Sequence, residues 1–255
     1  MLRIIRIILM DVLKSKFIMI YTCLLFMMSM SVFNLEDNYT KGLLSLLNLI
    51  LLTIPLVSIM YSTSYIYNSS EFVELLLSQP VKRSKIWISL FIGLVLAFVF
   101  AFIIGVGLPI LLYAFSSVGI MMLVIGLMVS IIFVSLALFC SILMRDKAKG
   151  IGVSIVLWLF FALFFDGLVL FLLFQFSDYP IEKMMIGITA LNPISLARIL
   201  ILLDLDVSAM MGYTGAIFKN FFGTTYGMII TFIVLIAWAL IPFYISLFKF
   251  KRKDL

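Results

Sequence analysis

Residues 42–70, 86–144 and 220–248 contain no Asp, Glu, Lys or Arg. A helix that crosses a bilayer needs about 20 mainly apolar residues, and all three runs exceed that. A water-soluble core cannot hide so much apolar chain. The composition agrees: 65% of residues are hydrophobic and 12% are charged, against roughly 25% charged in a soluble domain. The sequence therefore predicts an all-α integral membrane protein, with residues 1–255 forming a single transmembrane domain.

Six spans are expected, at about 17–35, 43–67, 86–114, 118–144, 150–176 and 226–248. The run 86–144 is too long for one crossing, and Phe115-Ser-Ser-Val-Gly119 is the expected turn within it. Gly105-Val-Gly-Leu-Pro109 is expected to weaken or kink the third span, and Pro55 the second.

The cations set the orientation. Arg3, Arg6, Lys14 and Lys16 lie before the first span; Lys82, Arg83 and Lys85 lie between the second and third. Arg145, Lys147 and Lys149 lie between the fourth and fifth; Lys249, Lys251, Arg252 and Lys253 follow the sixth. The opposite side holds only Lys41, Lys183, Arg198 and Lys219. The positive-inside rule then places both termini in the cytoplasm, as in a bacterial inner-membrane protein. The net charge of +6 resides in these flanks and does not indicate nucleic-acid binding. The basic start and the Ser29-Met-Ser31 stretch resemble a signal peptide, but the apolar run is long for that class.

Several chemistries are excluded. There is no histidine, which removes HExxH zinc sites, Ser–His catalysis and histidine copper ligation. Cys23 and Cys140 lie in apolar runs without CxxC spacing. No GxxxxGK[ST] motif is present, so the chain brings no phosphate-binding loop of its own. No catalytic residues, metal ligands or cofactors are assigned to it.

Residues 2–16 read as an amphipathic helix along the headgroups or as an ordinary basic flank. The stretch Asn68-Ser-Ser-Glu-Phe-Val-Glu-Leu-Leu-Leu-Ser-Gln-Pro-Val-Lys-Arg predicts a short helix capped by Asn68 or Ser70 and stopped by Gln79-Pro80. Glu71, Glu74 and Ser78 share one face; Phe72, Leu75 and Leu76 define another. This is either a solvated connector or a helix on which a partner docks.

Glu-x-x-Glu-Leu-Leu-Leu-Ser-x-Pro-Val-x-Arg, from Glu71 to Arg83, resembles the coupling region of type-2 ABC transporter permeases. The six-span layout with an N-terminal elbow helix is similar too. The resemblance implies a cytoplasmic ABC ATPase subunit docking on Glu71, Phe72, Glu74, Leu75, Ser78 and Arg83. It implies a smaller second contact at Arg145, Asp146 and Lys147, with ATP and Mg held by the partner, and a second copy of this chain beside the first in membrane lipid.

The outward segment 177–225 narrows the likeness. Asn192-Pro-Ile, Arg198, Met-Gly-Tyr-Thr-Gly-Ala216 and Phe-Phe-Gly223 resemble the permeases of nitrous-oxide-reductase copper maturation. That likeness implies a periplasmic copper-handling partner. Candidate contact or gate residues there are Asn192, Arg198, Asp204, Asp206, Met210, Met211 and Tyr213. Residues 194–203 are expected to lie in the outer interface, packed on the bundle or on a partner. The methionines, among them Met27, Met28, Met30, Met184 and Met185, are read chiefly as packing residues. Asp166, the acid inside a span, is a relay, gate or inter-helix latch, or an acid hydrated near the surface. A generic exporter of lipid-like or drug-like molecules is the alternative within the same class. A membrane enzyme lacks a nucleophile–base pair, and a secondary transporter would need more than one buried ionisable group.

Overall fold

The computed structural model describes residues 1–36, 38–176, 182–205 and 224–252, and among these every regular element is helical. A backbone in lipid has to satisfy its hydrogen bonds internally, which helices do. Among the described residues, six helical stretches are long and apolar enough to span a membrane: Lys16–Leu35, Thr40–Asn68, Arg83–Tyr113, Ser117–Leu143, Lys147–Leu172 and Tyr226–Arg252. The expected spans are all present, with ends shifted by a few residues.

The elements are α1 (Leu2–Lys14), α2 (Lys16–Leu35), α3 (Tyr39–Asn68) and α4 (Ser70–Leu77). Then come α5 (Arg83–Phe102), a π-helical turn (Ile103–Gly107) and α6 (Leu108–Tyr113), which together make the third span. α7 (Ser117–Leu143) is the fourth. The fifth is α8 (Lys147–Leu159), a second π turn (Phe160–Phe164) and α9 (Phe165–Gln175). α10 (Glu182–Thr189), α11 (Pro193–Asp204) and α12 (Thr225–Arg252) follow.

Short polar residues start most of these helices. Ser15, Asn38, Ser116 and Asp146 each accept a hydrogen bond from a first-turn amide, satisfying donors that the helix leaves open. The irregularity expected around Gly105 takes the form of the first π turn. Pro55 lies inside α3, which runs on through it.

α3 and α7 form the centre of the bundle, with α12 and α5 packed on α7. Small buried side chains, Ser58 and Ser62 on α3 and Ser130 and Ser135 on α7, permit close approach, as is usual between membrane helices. α8 runs along α3. Thr63 and Ser154 hydroxyls meet at 2.8 Å, and the Trp158 indole donates to the Leu52 carbonyl at 3.3 Å.

α1 is amphipathic and rests on α5. Ile8 and Val12 are buried while Arg3, Arg6 and Lys14 remain exposed. The approach is close because residue 93 is glycine: a Cβ there would lie 2.6 Å from Ile8 Cγ2. Tyr65 donates to Asp11 and Tyr61 to Ser15, each at 2.9 Å, so α1 is also tied to α3. Residues 2–14 are thus a packed elbow.

α11 packs on the bundle, one of the two placements expected of it. Pro193, Ile194, Ser195, Leu196, Ala197, Ile199, Leu200, Ile201 and Leu203 are all buried. The helix is inserted against α7, α12 and α3. Apart from Ser195, Arg198 and the terminal Asp204 the helix is apolar, in the manner of a core helix.

Candidate functional site

Two polar constellations occupy opposite ends of the bundle. The first lies where α3, α4, α5, α7, α8 and α12 meet, at the end that carries the cation clusters.

α4 is joined to α3 with only Ser69 between them. Its cap differs from expectation. Ser69 is the cap residue and makes no side-chain cap bond. Asn68 instead accepts a hydrogen bond from Lys147 Nζ at 2.6 Å. The faces differ too. Val73 and Leu76 are the buried pair, Phe72 is half-buried, and Leu75 is exposed beside Glu71, Glu74 and Ser78. The outer face thus combines two carboxylates with one exposed leucine. Ser78 closes the helix by donating to the Leu75 carbonyl at 2.8 Å. Ser78, Gln79 and Pro80 then turn the chain toward Arg83 at the start of α5.

The loop at 144–147 is locked to the same corner. The Tyr67 hydroxyl donates to the carbonyls of Met144 (3.0 Å) and Ser141 (3.3 Å). These are C-terminal acceptors of α7 that lack intrahelical donors. Gly150 makes room for this ring: a Cβ at that position would collide with Tyr67. The Asp146 carboxylate is engaged as the α8 cap, accepting from the amides of Ala148 (2.7 Å) and Lys149 (3.1 Å). Arg145 is exposed and shares a cleft of about 170 Å³ with Glu74, Tyr67, Trp87 and Phe250. The two loops that the sequence offers as docking contacts therefore adjoin one cleft. Sequence reasoning gave Tyr67 no role. Its ring is the pin between them, and its pairing with Gly150 left no local signal.

The second constellation lies at the other end. Asp166, in the first turn of α9, forms an ion pair with Arg198 of α11. Ser195, one turn before Arg198, donates to the other Asp166 oxygen at 3.1 Å. Asn192 is wholly buried. Its Oδ1 caps α11 by accepting from Ile194 N at 2.9 Å, and its Nδ2 donates to the Phe161 carbonyl at 2.8 Å. Phe161 belongs to the second π turn, and such turns displace the regular hydrogen-bond ladder. Trp238 of α12 stacks edge-on against Phe161, with centroids 5.4 Å apart, and donates to the Ala190 carbonyl at 3.1 Å.

Asp166 thus joins the fifth span to α11 through Arg198 and Ser195. Asn192 is buried at the start of α11 and joins that helix to the second π turn. Asp204 ends α11 and is half-buried. Asp206, Met210, Met211 and Tyr213, with the Met-Gly-Tyr-Thr-Gly-Ala216 and Phe-Phe-Gly223 blocks, lie outside the described residues. Met184 and Met185 belong to α10, and Met27 and Met28 are exposed on α2.

Among the described residues, six spans, a packed elbow helix and a short acidic helix with one buried face make up a membrane-spanning protein. The chain belongs to the ABC-2 transporter family: the model described as "ABC-2 family transporter protein" matches residues 71–255, more than half of the chain. The match begins at Glu71, the first acid of α4. No curated protein matches the chain. Membership makes this chain the membrane component rather than the ATPase, and implies an ATPase partner and often pairing of two permeases.

Proposed function

We propose that the cation-rich end faces the cytoplasm of a bacterial inner membrane and that the ATPase docks there on α4 and the loop at 145–147. The distribution of Lys and Arg supports the orientation. The observation that carries the docking reading is the α4 corner. Glu71, Glu74 and Leu75 are presented outward on a helix whose other face is buried. That helix is joined to two spans, and the end of α3 that leads into it is clasped to the start of α8 by Lys147–Asn68. Load applied to its outer face passes directly into α3 and α5. A solvated connector would need neither the buried face nor the clasp.

At the far end, motion of the fifth span would strain the Asp166–Arg198 latch and shift α11. We propose that this end acts on a periplasmic copper-handling protein in the assembly of nitrous oxide reductase. Support comes from the Asn192-Pro-Ile and Arg198 positions and from Asp166. The generic exporter reading differs only in what lies beyond the latch. On either reading two permeases pair and two ATPase subunits bind them.

The test is co-purification of the tagged chain from its own host, compared with the Glu71→Lys/Glu74→Lys variant. Both positions are exposed, so the bundle should fold as before. Reversal is expected to lower ATPase recovery about tenfold, the scale expected for charges at an interface. Equal recovery would return α4 to a connector. Recovery of the ATPase without a copper protein would favour the exporter.

A further inference from the structure

We propose that the groove between the ends of α7 and α12 binds the headgroup of an anionic phospholipid. The groove measures about 450 Å³ and is lined by Ile142, Leu143, Arg145, Phe248, Lys249 and Arg252. All three of its charged side chains are cations. Its apolar floor includes Leu143 and Phe248, which are exposed. Leu143 is the last residue of the fourth span and Phe248 lies one turn from the end of the sixth. The groove therefore lies at the boundary between hydrocarbon and headgroups. A phosphate would meet the cations there while an acyl chain follows the floor.

A basic flank alone would not make a site, because cations after a helix commonly complement its dipole and the membrane surface. What sets this place apart is convergence from two helices with preset geometry. The Arg252 guanidinium lies 4.0 Å above the Phe248 ring, which limits its freedom before any ligand arrives. The end of α12 is pinned to α5: Trp87 Nε1 donates to Ser246 Oγ at 3.0 Å, and Trp87 stacks on Phe250 at 4.3 Å. Arg145 directly follows Met144, whose carbonyl Tyr67 holds. Among the described residues the nearest carboxylate in sequence, Asp146, is committed to the α8 cap; Asp254 lies outside them. Glu74 borders the adjoining cleft rather than this groove. Basic pockets between membrane helices at this depth recognise anionic headgroups, and guanidinium groups suit phosphate. The site stands whether or not the ATPase docks on α4.

Native mass spectrometry of the purified chain in detergent tests it, with dioleoylphosphatidylglycerol and dioleoylphosphatidylcholine titrated separately at equal ionic strength. The phosphatidylglycerol adduct is expected to be at least tenfold tighter. Lys249→Gln/Arg252→Gln should weaken it about 25-fold, from the roughly fivefold expected of each basic side chain at an anionic surface. Phosphatidylcholine binding should not change. The charge-conserving Lys249→Arg/Arg252→Lys variant should stay within about threefold of the parent, as should Arg3→Gln/Arg6→Gln on the elbow helix. Three results would overturn the assignment: no preference between the lipids, an equal loss in the elbow variant, or an equal loss in the charge-conserving variant. Displacement of the lipid by glycerol 3-phosphate at constant ionic strength would make the groove a general anion site. Loss of ATPase association with lipid binding intact would make it a protein contact. Either result also refutes the proposal.

Discussion

Asp166→Ala is expected to destabilise the bundle by about 3 kcal/mol, because it leaves Arg198 charged and without its carboxylate at the edge of the membrane. Both side chains are about one-third exposed (34% and 32%), which keeps the effect below that of a fully buried pair. Ser195 loses its acceptor as well. Arg198→Ala should cost a similar amount, since the carboxylate is then the unpaired charge. The double variant should cost clearly less than the two singles combined, by at least about 1 kcal/mol, as expected of residues in direct contact. Thermal unfolding of the four proteins in one detergent measures this. Additive losses would show that the pair is incidental to the fold.

The second large effect concerns the opposite corner. Gly150→Leu places a side chain where the Tyr67 ring now lies. The ring must leave, and its bonds to Met144 and Ser141 go with it. Overpacking and these lost bonds together cost about 3 kcal/mol. The loop that carries Arg145 and Lys147 is then no longer registered against α4. ATPase association should fall with stability. Tyr67→Ala opens the space, so adding Gly150→Leu to that background should cost under about 1 kcal/mol more. Equal cost in both backgrounds would show that the two residues do not share the space. Unfolding midpoints and co-purification provide the two readouts.

The spans were legible because absence of charge over 20 or more residues is a one-dimensional property that lipid converts directly into helices. The elbow and α4 were legible as local patterns, through apolar spacing and the Gln79-Pro80 stop. Asn192-Pro193 is a helix start by local chemistry alone, with Asn as the cap and Pro in the first turn, because capping is set within three residues. What the sequence did not disclose was pairing at a distance. Asp166 and Arg198 are 32 residues apart, and Tyr67 and Met144 are 77 apart. Nothing in either neighbourhood announces the partner; only the packing of α8 on α3 and of α11 into the bundle brings them together. Asn68 illustrates the competition. Its sequence position suits a cap, but an ammonium group within reach, Lys147, makes a stronger bond to its side chain than a backbone amide would. For a related reason, the sequence leaves open which surface buries α11. An apolar helix fits an interface or a core equally well until its neighbours are known.

The central claim is that α4 is where the ATPase meets this permease. It is tested most directly by photo-crosslinking in native membranes from a benzophenone residue placed at Leu75. That position is 65% exposed on the outer face of α4, and Leu191, 61% exposed at the opposite end, serves as the control. The account predicts an adduct with the nucleotide-binding subunit from position 75 and none from position 191. Failure to capture that subunit at position 75, or its capture at position 191, would contradict it.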